Sequence, residues 1–353
     1  MQVNSVNQLR ADQAAAVLAL VEAASRVDDV APLSEQVLLA VRSDLPAGTS
    51  TASTSTPEHL LAYAGTHLAG YAHLERGLAG AAATAEVVVD PAHRRQGVGT
   101  ALIRALEEAL LPDAATLQIW SHGHLDGARA LAARDGYVIV RELRSMRRPL
   151  GSGAHPLPDV QLPEGFTVRH FVVGQDEDAW LRVNARAFVH HPEQGRMTRA
   201  DLDQRIAQSW FDATGLILIE HTRAGAPVLT ASHWTKVVPA ENPGVSQTNA
   251  EASPTDAQAS PTDAQASPTD AQASPTQGEV YVVGVDPAYQ GLGLGRAVTV
   301  LGLLHLRERG LDQATLYVDA DNTAAVATYS RLGFTRFAVD VMYSHSVHLP
   351  VSG

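Results

Sequence analysis

Apolar residues along this chain follow two periods, and the two periods alternate in the same order in both halves. Apolar positions recur at helical spacing over residues 14–24, 100–111, 179–188 and 297–309, which predicts amphipathic helices there. Apolar and β-branched runs predict strands over residues 60–74 (with a central turn), 86–89, 116–120, 216–236, 280–285 and 314–318. A further helix and a final strand close each half. The pattern predicts an α/β fold in which helices flank a mixed, mostly antiparallel sheet.

A long internal repeat shows that the two halves share more than periodicity. The stretch VDPAHRRQGVG at residues 89–99 returns 196 residues later as VDPAYQGLGLG. Downstream, RDGY at residues 134–137 returns 197 residues later as RLGF. Two landmarks in nearly constant register indicate that a whole domain was duplicated. We therefore predict a first domain over residues 1–150, a Pro- and Gly-rich linker over 151–165, and a second domain over 166–353.

A short repeat interrupts the second half. The heptapeptide ASPTDAQ begins at residue 252 and recurs at 259 and 266, with a partial copy from 273. Because these residues offer little surface to bury, we predict a disordered insert over about residues 239–277. Lengthening a surface loop costs little closure entropy, so a tolerated expansion is the simplest interpretation, and a binding role is the alternative.

Composition narrows the classes of partner. The chain has 353 residues, 45% of them hydrophobic, and a formal net charge of -12, which argues against a nucleic-acid backbone as the main partner. A local basic patch would still allow a small phosphorylated ligand. The absence of cysteine excludes disulfides, thiolate metal sites and cysteine nucleophiles, and His190-His191 lacks the neighbours of a metal motif, so no metal is expected. No signal peptide or membrane span is predicted, so we expect a cytoplasmic protein. We also expect a monomer.

Each half contains a Gly-rich turn between a strand and a helix. Free N–H groups at a helix start, together with the helix dipole, favour an anion, and glycine allows its close approach. A Walker loop would require Gly-Lys-Ser/Thr, and a dinucleotide fingerprint would require a third glycine where Leu102 and Val298 stand. Neither motif is present. Considered alone, Gly-x-Gly is equally consistent with an ordinary helix start.

The two turns, RRQGVG at 94–99 and QGLGLG at 290–295, resemble the pyrophosphate loop of the GNAT acetyltransferase superfamily. The preceding Val-Asp-Pro and the later Leu-Gly-Phe, with Asn322 and Tyr329 before it, are further hallmarks of that superfamily. The resemblance implies two tandem GNAT domains, with acetyl-CoA as co-substrate and room for two molecules per chain. It also implies that each strand before a loop splays from its neighbour, and that a bulge there directs one N–H at the thioester carbonyl. The acetyl-CoA contacts implied are Val87, Val88, Val89, Arg94, Arg95, Gln96, Gly97, Val98, Gly99, Val283, Gly284, Val285, Gln290, Gly291, Leu292, Gly293, Leu294, Gly295, Arg296, Asn322, Thr323, Ala324, Ala325, Val326 and Ala327.

Comparison of the two halves places the chemistry in the second. Three polar residues of the second half have apolar counterparts in the first: Glu279 against Ala83, Asn322 against Leu125, and Tyr329 against Ala132. We expect Glu279 to act as the general base, with the backbone near Val283 as the oxyanion donor and Tyr329 as a hydrogen-bond donor to the leaving thiolate. A charge at a strand start and a packing tyrosine are the alternatives for Glu279 and Tyr329. The first domain is expected to bind acetyl-CoA without turnover.

Further segments resemble the mycothiol acetyltransferase family within this superfamily. They are PLSE at 32–35, AFVHHPEQ at 187–194, WFD at 210–212 and LYVDADN at 316–322. The resemblance implies acetylation of the cysteinyl amine of cysteinyl-glucosaminyl-inositol, a small thiol-bearing pseudodisaccharide, as the final step of mycothiol biosynthesis. It implies substrate contacts at Glu35, Glu193, Lys236, Glu279 and Tyr317. The predicted insert separates Lys236 from Glu279, so access to the site depends on where the insert lies.

Two alternatives stay open from the residues alone. A GNAT enzyme for another small amine or a peptide N-terminus would use the same acidic site residues. A non-catalytic acetyl-CoA sensor would suit the first half, but it would leave Glu279, Asn322 and Tyr329 without a role.

Overall fold

The computed structural model describes residues 1–42, 57–77, 81–113, 115–189, 192–223, 225–238 and 277–347. Within these ranges the strands are β1 (Gln2–Val6), β2 (Glu58–Ala64), β3 (His67–Glu75), β4 (Ala83–Val89), β5 (Thr116–Ser121), β6 (Val138–Pro149), β7 (Phe166–His170), β8 (Leu216–Arg223), β9 (Ala226–Val238), β10 (Gln277–Val285), β11 (Gln313–Asp319) and β12 (Thr335–Ser346). The α-helices are α1 (Ala11–Asp28), α2 (Glu35–Arg42), α3 (Val98–Leu110), α4 (Asp126–Arg134), α5 (Glu177–Ala187), α6 (Pro192–Gly195), α7 (Arg199–Ile206), α8 (Leu294–Glu308) and α9 (Thr323–Arg331).

The twelve described strands form one continuous sheet. Their order is β1-β2-β3-β4-β5-β12-β6-β11-β10-β9-β8-β7. Neighbouring strands run antiparallel except for the pairs β4–β5 and β10–β11, which are parallel. The prediction of a mixed, mostly antiparallel sheet flanked by helices is confirmed.

Helices cover both faces of the sheet because alternate residues of each strand point to opposite faces. In the first half, Leu60 belongs to the core beneath α3, whereas Leu61 belongs to the core beneath α1 and α2. The second half repeats this division, with α8 over one face and α5 and α7 over the other, where Trp180 and Trp234 are fully buried. Burial of one such large side chain stabilises the fold by about 1.5–3 kcal/mol.

The last strand of each half crosses into the sheet of the other half. Strand β6, which ends the first half, pairs with β11 and β12, whereas β12, which ends the second half, pairs with β5 and β6. Both exchanged strands also enter the neighbouring core: Val341 and Tyr343 pack in the core under α3, and Met146 packs in the core under α8. The expectation that each half is closed by its own final strand is therefore wrong.

The other predicted elements agree with the structure to within a few residues. The turn expected inside residues 60–74 lies at Gly65, where φ is +65° and glycine is favoured. The edge strands β1 and β7 and the short helices α2 and α7 had no counterpart in the pattern. Residues 239–276 of the predicted insert lie outside the described residues, and Gln277, its last residue, begins β10. In the described part of the chain, no helix is both long and apolar enough to cross a bilayer.

Candidate functional site

The two Gly-rich loops have the same backbone conformation. Each follows a 3-10 turn in which an aspartate accepts a hydrogen bond from the amide two residues later: Asp90 Oδ1 from Ala92 at 2.8 Å, and Asp286 Oδ1 from Ala288 at 2.9 Å. Each loop then passes twice through the left-handed region, at residues 95 and 97 with φ of 61° and 86°, and at residues 291 and 293 with φ of 80° and 81°. Arg95 adopts this conformation despite its Cβ, which costs about 1–2 kcal/mol. The first loop therefore keeps the shape of the second at some cost in strain.

Both loops lead directly into a helix whose first amides are open to a ligand. The N-cap residues are Gly97 for α3 and Gly293 for α8, and neither has a side chain that could accept from those amides. Open N–H groups and the positive end of the helix dipole suit a pyrophosphate. The side chains around the loops differ, because Arg94 makes a bidentate ion pair with Asp28 at 2.7 and 2.6 Å. Its guanidinium is thus engaged within the protein, and Gln290 stands in its place in the second loop.

Both halves show the predicted splay between parallel strands. Pairing of β4 with β5 ends at Glu86, and pairing of β10 with β11 ends at Val280. Each strand nevertheless continues to Val89 or Val285, paired on its other side with β3 or β9. The sheet therefore leaves backbone groups of residues 87–89 and 283–285 on the splay side unpaired, as expected for a pantetheine arm, although the Val89 carbonyl already accepts a hydrogen bond from Arg94 Nε at 3.3 Å.

A β-bulge distinguishes the second splay from the first. The register of β10 on β9 shifts between Val280 and Val282, so that Tyr281 is the extra residue. Strand β4 pairs with β3 without any shift. A bulge turns a backbone group out of the ladder and frees it for another acceptor. Such a group was expected near Val283, and the bulge lies two residues before it.

Glu279, Lys236 and Glu35 come together beside this bulge, although they belong to different elements and different halves. Lys236, the single lysine of the chain, is directly opposite Glu279 across β9 and β10. Its Nζ lies 2.5 Å from Glu35 Oε1, and Glu35 Oε2 accepts a hydrogen bond from the Tyr281 hydroxyl at 2.7 Å. Burial raises the pKa of Glu279 to about 7, with Lys236 opposing the rise and Glu35 adding to it. A carboxylate with this pKa can accept a proton near neutral pH.

Arg205, Gln36 and Trp210 complete this cluster, and none of the three was proposed as a site residue from the sequence. Arg205 on α7 donates from Nε to the Tyr281 hydroxyl and from Nη2 to Gln36 Oε1, both at 2.9 Å. Trp210 places its ring 4.5 Å from Lys236 Nζ, within cation–π distance. Only the Trp-Phe-Asp segment had drawn attention to this region. Because Gln36 and Arg205 lie in different halves, sequence spacing carried no signal of their contact.

Four other predicted site residues of the second half lie on β11, on α6 and at α9. Tyr317 lies on β11 and is 54% exposed. Burial raises the pKa of Tyr329 to about 12, its ring packs on Phe334, and its hydroxyl has no hydrogen-bond partner among the described residues. Asn322 caps α9, accepting from the Ala325 amide at 3.1 Å, which gives this residue a structural role beside the predicted one. The side chain of Glu193, on α6, lies outside the described part.

Three side chains next to the first loop offer metal-ligand atoms within 4.8 Å of one another: His67, Asp90 and His93. Asp90 Oδ2 lies 2.6 Å from His67 Nε2 and 3.4 Å from His93 Nδ1. Two imidazoles and a carboxylate form a donor set that a divalent transition metal accepts. His67 is 23 residues from Asp90 in the chain, so no local spacing indicated this group. His190 and His191, the pair considered from the sequence, lie outside the described residues.

The sequence of this chain is similar to those of known acetyltransferases. The model of the acetyltransferase (GNAT) family matches residues 32–137 and 260–334. The chain is 48% identical over 331 residues to the mycothiol acetyltransferase of Thermomonospora curvata, covering 94% of this chain and 93% of that one. It is 43% identical to the mycothiol acetyltransferase of Kytococcus sedentarius, covering 97% of each, and 44% identical to that of Streptomyces avermitilis, covering 97% and 94%.

Solved structures share the tandem arrangement. A tandem GNAT protein from the clavulanic acid biosynthesis pathway superposes with a TM-score of 0.66 at 16% identity, covering 99% of this chain and 100% of that one. A GCN5-related N-acetyltransferase from Sphaerobacter thermophilus superposes with a TM-score of 0.62 at 22% identity, covering 99% and 97%. These likenesses establish the fold.

Proposed function

The chain belongs to the acetyltransferase (GNAT) family and, within it, to the mycothiol acetyltransferases, and from this premise we propose how its residues perform the transfer. It is an acetyl-CoA-dependent acetyltransferase of mycothiol biosynthesis. We propose that the acceptor is the cysteinyl amine of cysteinyl-glucosaminyl-inositol. The observation that carries the residue assignment is the Glu279–Lys236–Glu35 cluster beside the bulged strand of the second splay.

The proposed reaction begins with removal of a proton from the acceptor ammonium. An α-amino group has a reference pKa of about 8, close to the value of about 7 for Glu279, so this transfer is nearly balanced. The amine nitrogen then attacks the thioester carbonyl carbon, and the backbone at the Tyr281 bulge donates a hydrogen bond to the developing oxyanion. As the C–S bond breaks, the nitrogen loses its second proton, which balances the negative charge of the departing CoA thiolate, and the Tyr329 hydroxyl donates a hydrogen bond to that thiolate.

The acceptor is proposed to bind where Glu35 of the first half meets Lys236 of the second. Glu35, from the first half, and Lys236, from the second, offer an acceptor and a donor for sugar and inositol hydroxyls. Exposed Tyr317 provides an aromatic surface at the mouth of the site, and Glu193 is proposed as a further contact. The acetyl-CoA that reacts is proposed to lie along residues 283–285, the second loop and the start of α9.

A second acetyl-CoA is proposed to bind the first half without reacting. The first loop has the same conformation as the second, which supports binding of the pyrophosphate there. The first splay lacks a bulge, and Ala83 and Ala132 replace the base and the tyrosine. These differences support a first site that binds acetyl-CoA but has no counterpart of Glu279, Tyr329 or the bulge.

The test is a mass-spectrometric assay with acetyl-CoA and cysteinyl-glucosaminyl-inositol, because the acceptor's own thiol interferes with colour tests for released CoA. Gly97→Asp and Gly293→Asp form a matched pair, since both positions are left-handed helix N-caps with nothing within 4 Å of an added Cβ. Both changes place a negative charge where the pyrophosphate would lie.

We expect one acetyl group to be added by the wild type and by Gly97→Asp, and almost no product from Gly293→Asp. Equal loss in both variants would contradict the division of labour. Acetylation of other amines but not of this acceptor would exclude the proposed substrate and retain an acetyltransferase. Tight acetyl-CoA binding without turnover of any amine would favour the sensor alternative.

A further inference from the structure

A buried group of charged side chains lies where β4 and β5 stop pairing, in the half that has Ala83 in place of Glu279. Glu86, the last residue of β4 that pairs with β5, is 7% exposed, and Asp340 on β12 is 5% exposed. Between them is His122, whose Nε2 is 3.4 Å from Glu86 and whose Nδ1 is 3.3 Å from Asp340. Burial lowers the pKa of His122, but the carboxylates of Asp340 and Glu86 outweigh burial and raise it to about 10. The group is thus a buried imidazolium between two carboxylates.

Glu86 also contacts the segment that carries a proposed substrate residue. Its Oε2 accepts a hydrogen bond from the Ser34 amide at 2.6 Å. The Ser34 hydroxyl in turn accepts from the Val37 amide at 3.4 Å, in the manner of an N-cap. The next residue, Glu35, is the first of α2 and extends to Lys236 and Tyr281 in the second half.

We propose that Glu86, held by His122 and Asp340, is a positioning residue that fixes the start of α2 and thereby orients Glu35 toward the acceptor. This inference rests on the proposed function, because Glu35 is taken to bind the acceptor. In this role Glu86 acts through the backbone of Ser34 and not on a substrate. The first splay then has a part in the reaction of the second, as a support for its acceptor site.

Comparison of the two halves favours a specific role for Glu86 over a carboxylate without a function. The residue four before the aspartate of the loop is Glu86 in the first half and Val282 in the second. A buried carboxylate is costly unless it is paired and hydrogen-bonded, and the second half shows that an apolar residue is accommodated at this position. The carboxylate is found where it meets the Ser34 amide, a contact that leads to the proposed acceptor site of the second half.

The primary test uses Glu86→Gln and Glu86→Asp, with Glu58→Gln as the matched control. Glu58 lies on β2, separated from β4 by one strand, and is paired with Arg76. Glu86→Asp keeps a charge for His122 but withdraws the oxygen from the Ser34 amide, so it separates positioning from folding. We expect both Glu86 variants to raise the KM for the acceptor by about tenfold, the scale of one lost charge-assisted hydrogen bond. Their kcat and KM for acetyl-CoA should stay within about twofold of wild type, as should every constant of Glu58→Gln.

Two further readouts distinguish positioning from a general loss of stability. Hydrogen exchange should accelerate at the amides of residues 34–38 in the Glu86 variants and remain unchanged in Glu58→Gln. In a Glu35→Gln background, Glu86→Gln should add no further increase in acceptor KM, since its effect passes through Glu35. Additive effects, an unchanged acceptor KM, or unchanged exchange at α2 would overturn the inference. If the wild type fails to acetylate this acceptor, the proposed function fails, and the exchange measurement alone decides the positioning role.

Discussion

Replacing Glu279 with glutamine should stabilise the protein while abolishing its reaction. The pKa of Glu279 is about 7 in the folded protein against an ordinary value of 4.5, so the folded state binds this proton more tightly than the unfolded state. Stability from this group is therefore present at low pH and is lost as pH rises from 4.5 through 7. Glutamine mimics the protonated carboxyl at every pH and avoids that loss.

The expected size of the effect follows from the two pKa values. The rise in the pKa from 4.5 to about 7 lowers the free energy of unfolding by at most about 3 kcal/mol at pH 8 and by about 1 kcal/mol at pH 5. Because Glu279 keeps some contact with solvent, these values are upper limits. Glu279→Gln should consequently unfold at a higher urea concentration than wild type at pH 8, with a much smaller difference at pH 5.

The assay is urea unfolding of both proteins at the two pH values, with product formation measured in parallel. Glu58→Gln is again the control, because it removes a carboxylate that is paired with Arg76 and should not stabilise the protein at either pH. A Glu279→Gln variant that is less stable than wild type at pH 8, or equally stabilised at pH 5 and 8, would refute a raised pKa. A variant with full activity would refute the role of Glu279 as base.

Three other changes test neighbouring parts of the structure. Lys236→Gln removes the cation that lowers the pKa of Glu279, so the acid limb of the kcat/KM profile should move up by about one pH unit, and an unchanged limb would contradict this. Gly302→Ala places a Cβ 2.0 Å from the buried His233 ring, and should lower stability by about 2–3 kcal/mol in thermal unfolding. Tyr329→Phe should lower kcat by about tenfold or more without changing either KM, and an unaffected kcat would leave Tyr329 a packing role.

Local features of the fold could be predicted because they depend on residues close together in the chain. The repeat identified both loops, and the structure shows the same aspartate turn at Asp90 and Asp286. Helical spacing located α3 and α8, since their apolar faces are continuous in sequence. The splay was expected from the resemblance, and the register of β4 and β10 confirms it.

Features that depend on distant residues could not be predicted in this way. Strands β6 and β12 have similar local patterns, so nothing in either one indicates which half it joins. The contact of Glu86 with Ser34 spans 52 residues, and that of Lys236 with Glu35 spans 201. The ion pair between Arg94 and Asp28 was likewise not predicted, because an arginine in this loop suggests a phosphate contact rather than a partner within the protein.

The exchange of β6 and β12 bears on what the first half contributes to the second. Removing residues 1–150 would take away β6, which is the neighbour of β11 in the sheet of the second half, as well as the partner of β12. The second half would be left with an unpaired edge at β11, close to the proposed acceptor site, and such edges invite aggregation. The second half therefore depends on the first for its fold, and deletion of residues 1–150 should cost stability as well as the contact of Lys236 with Glu35.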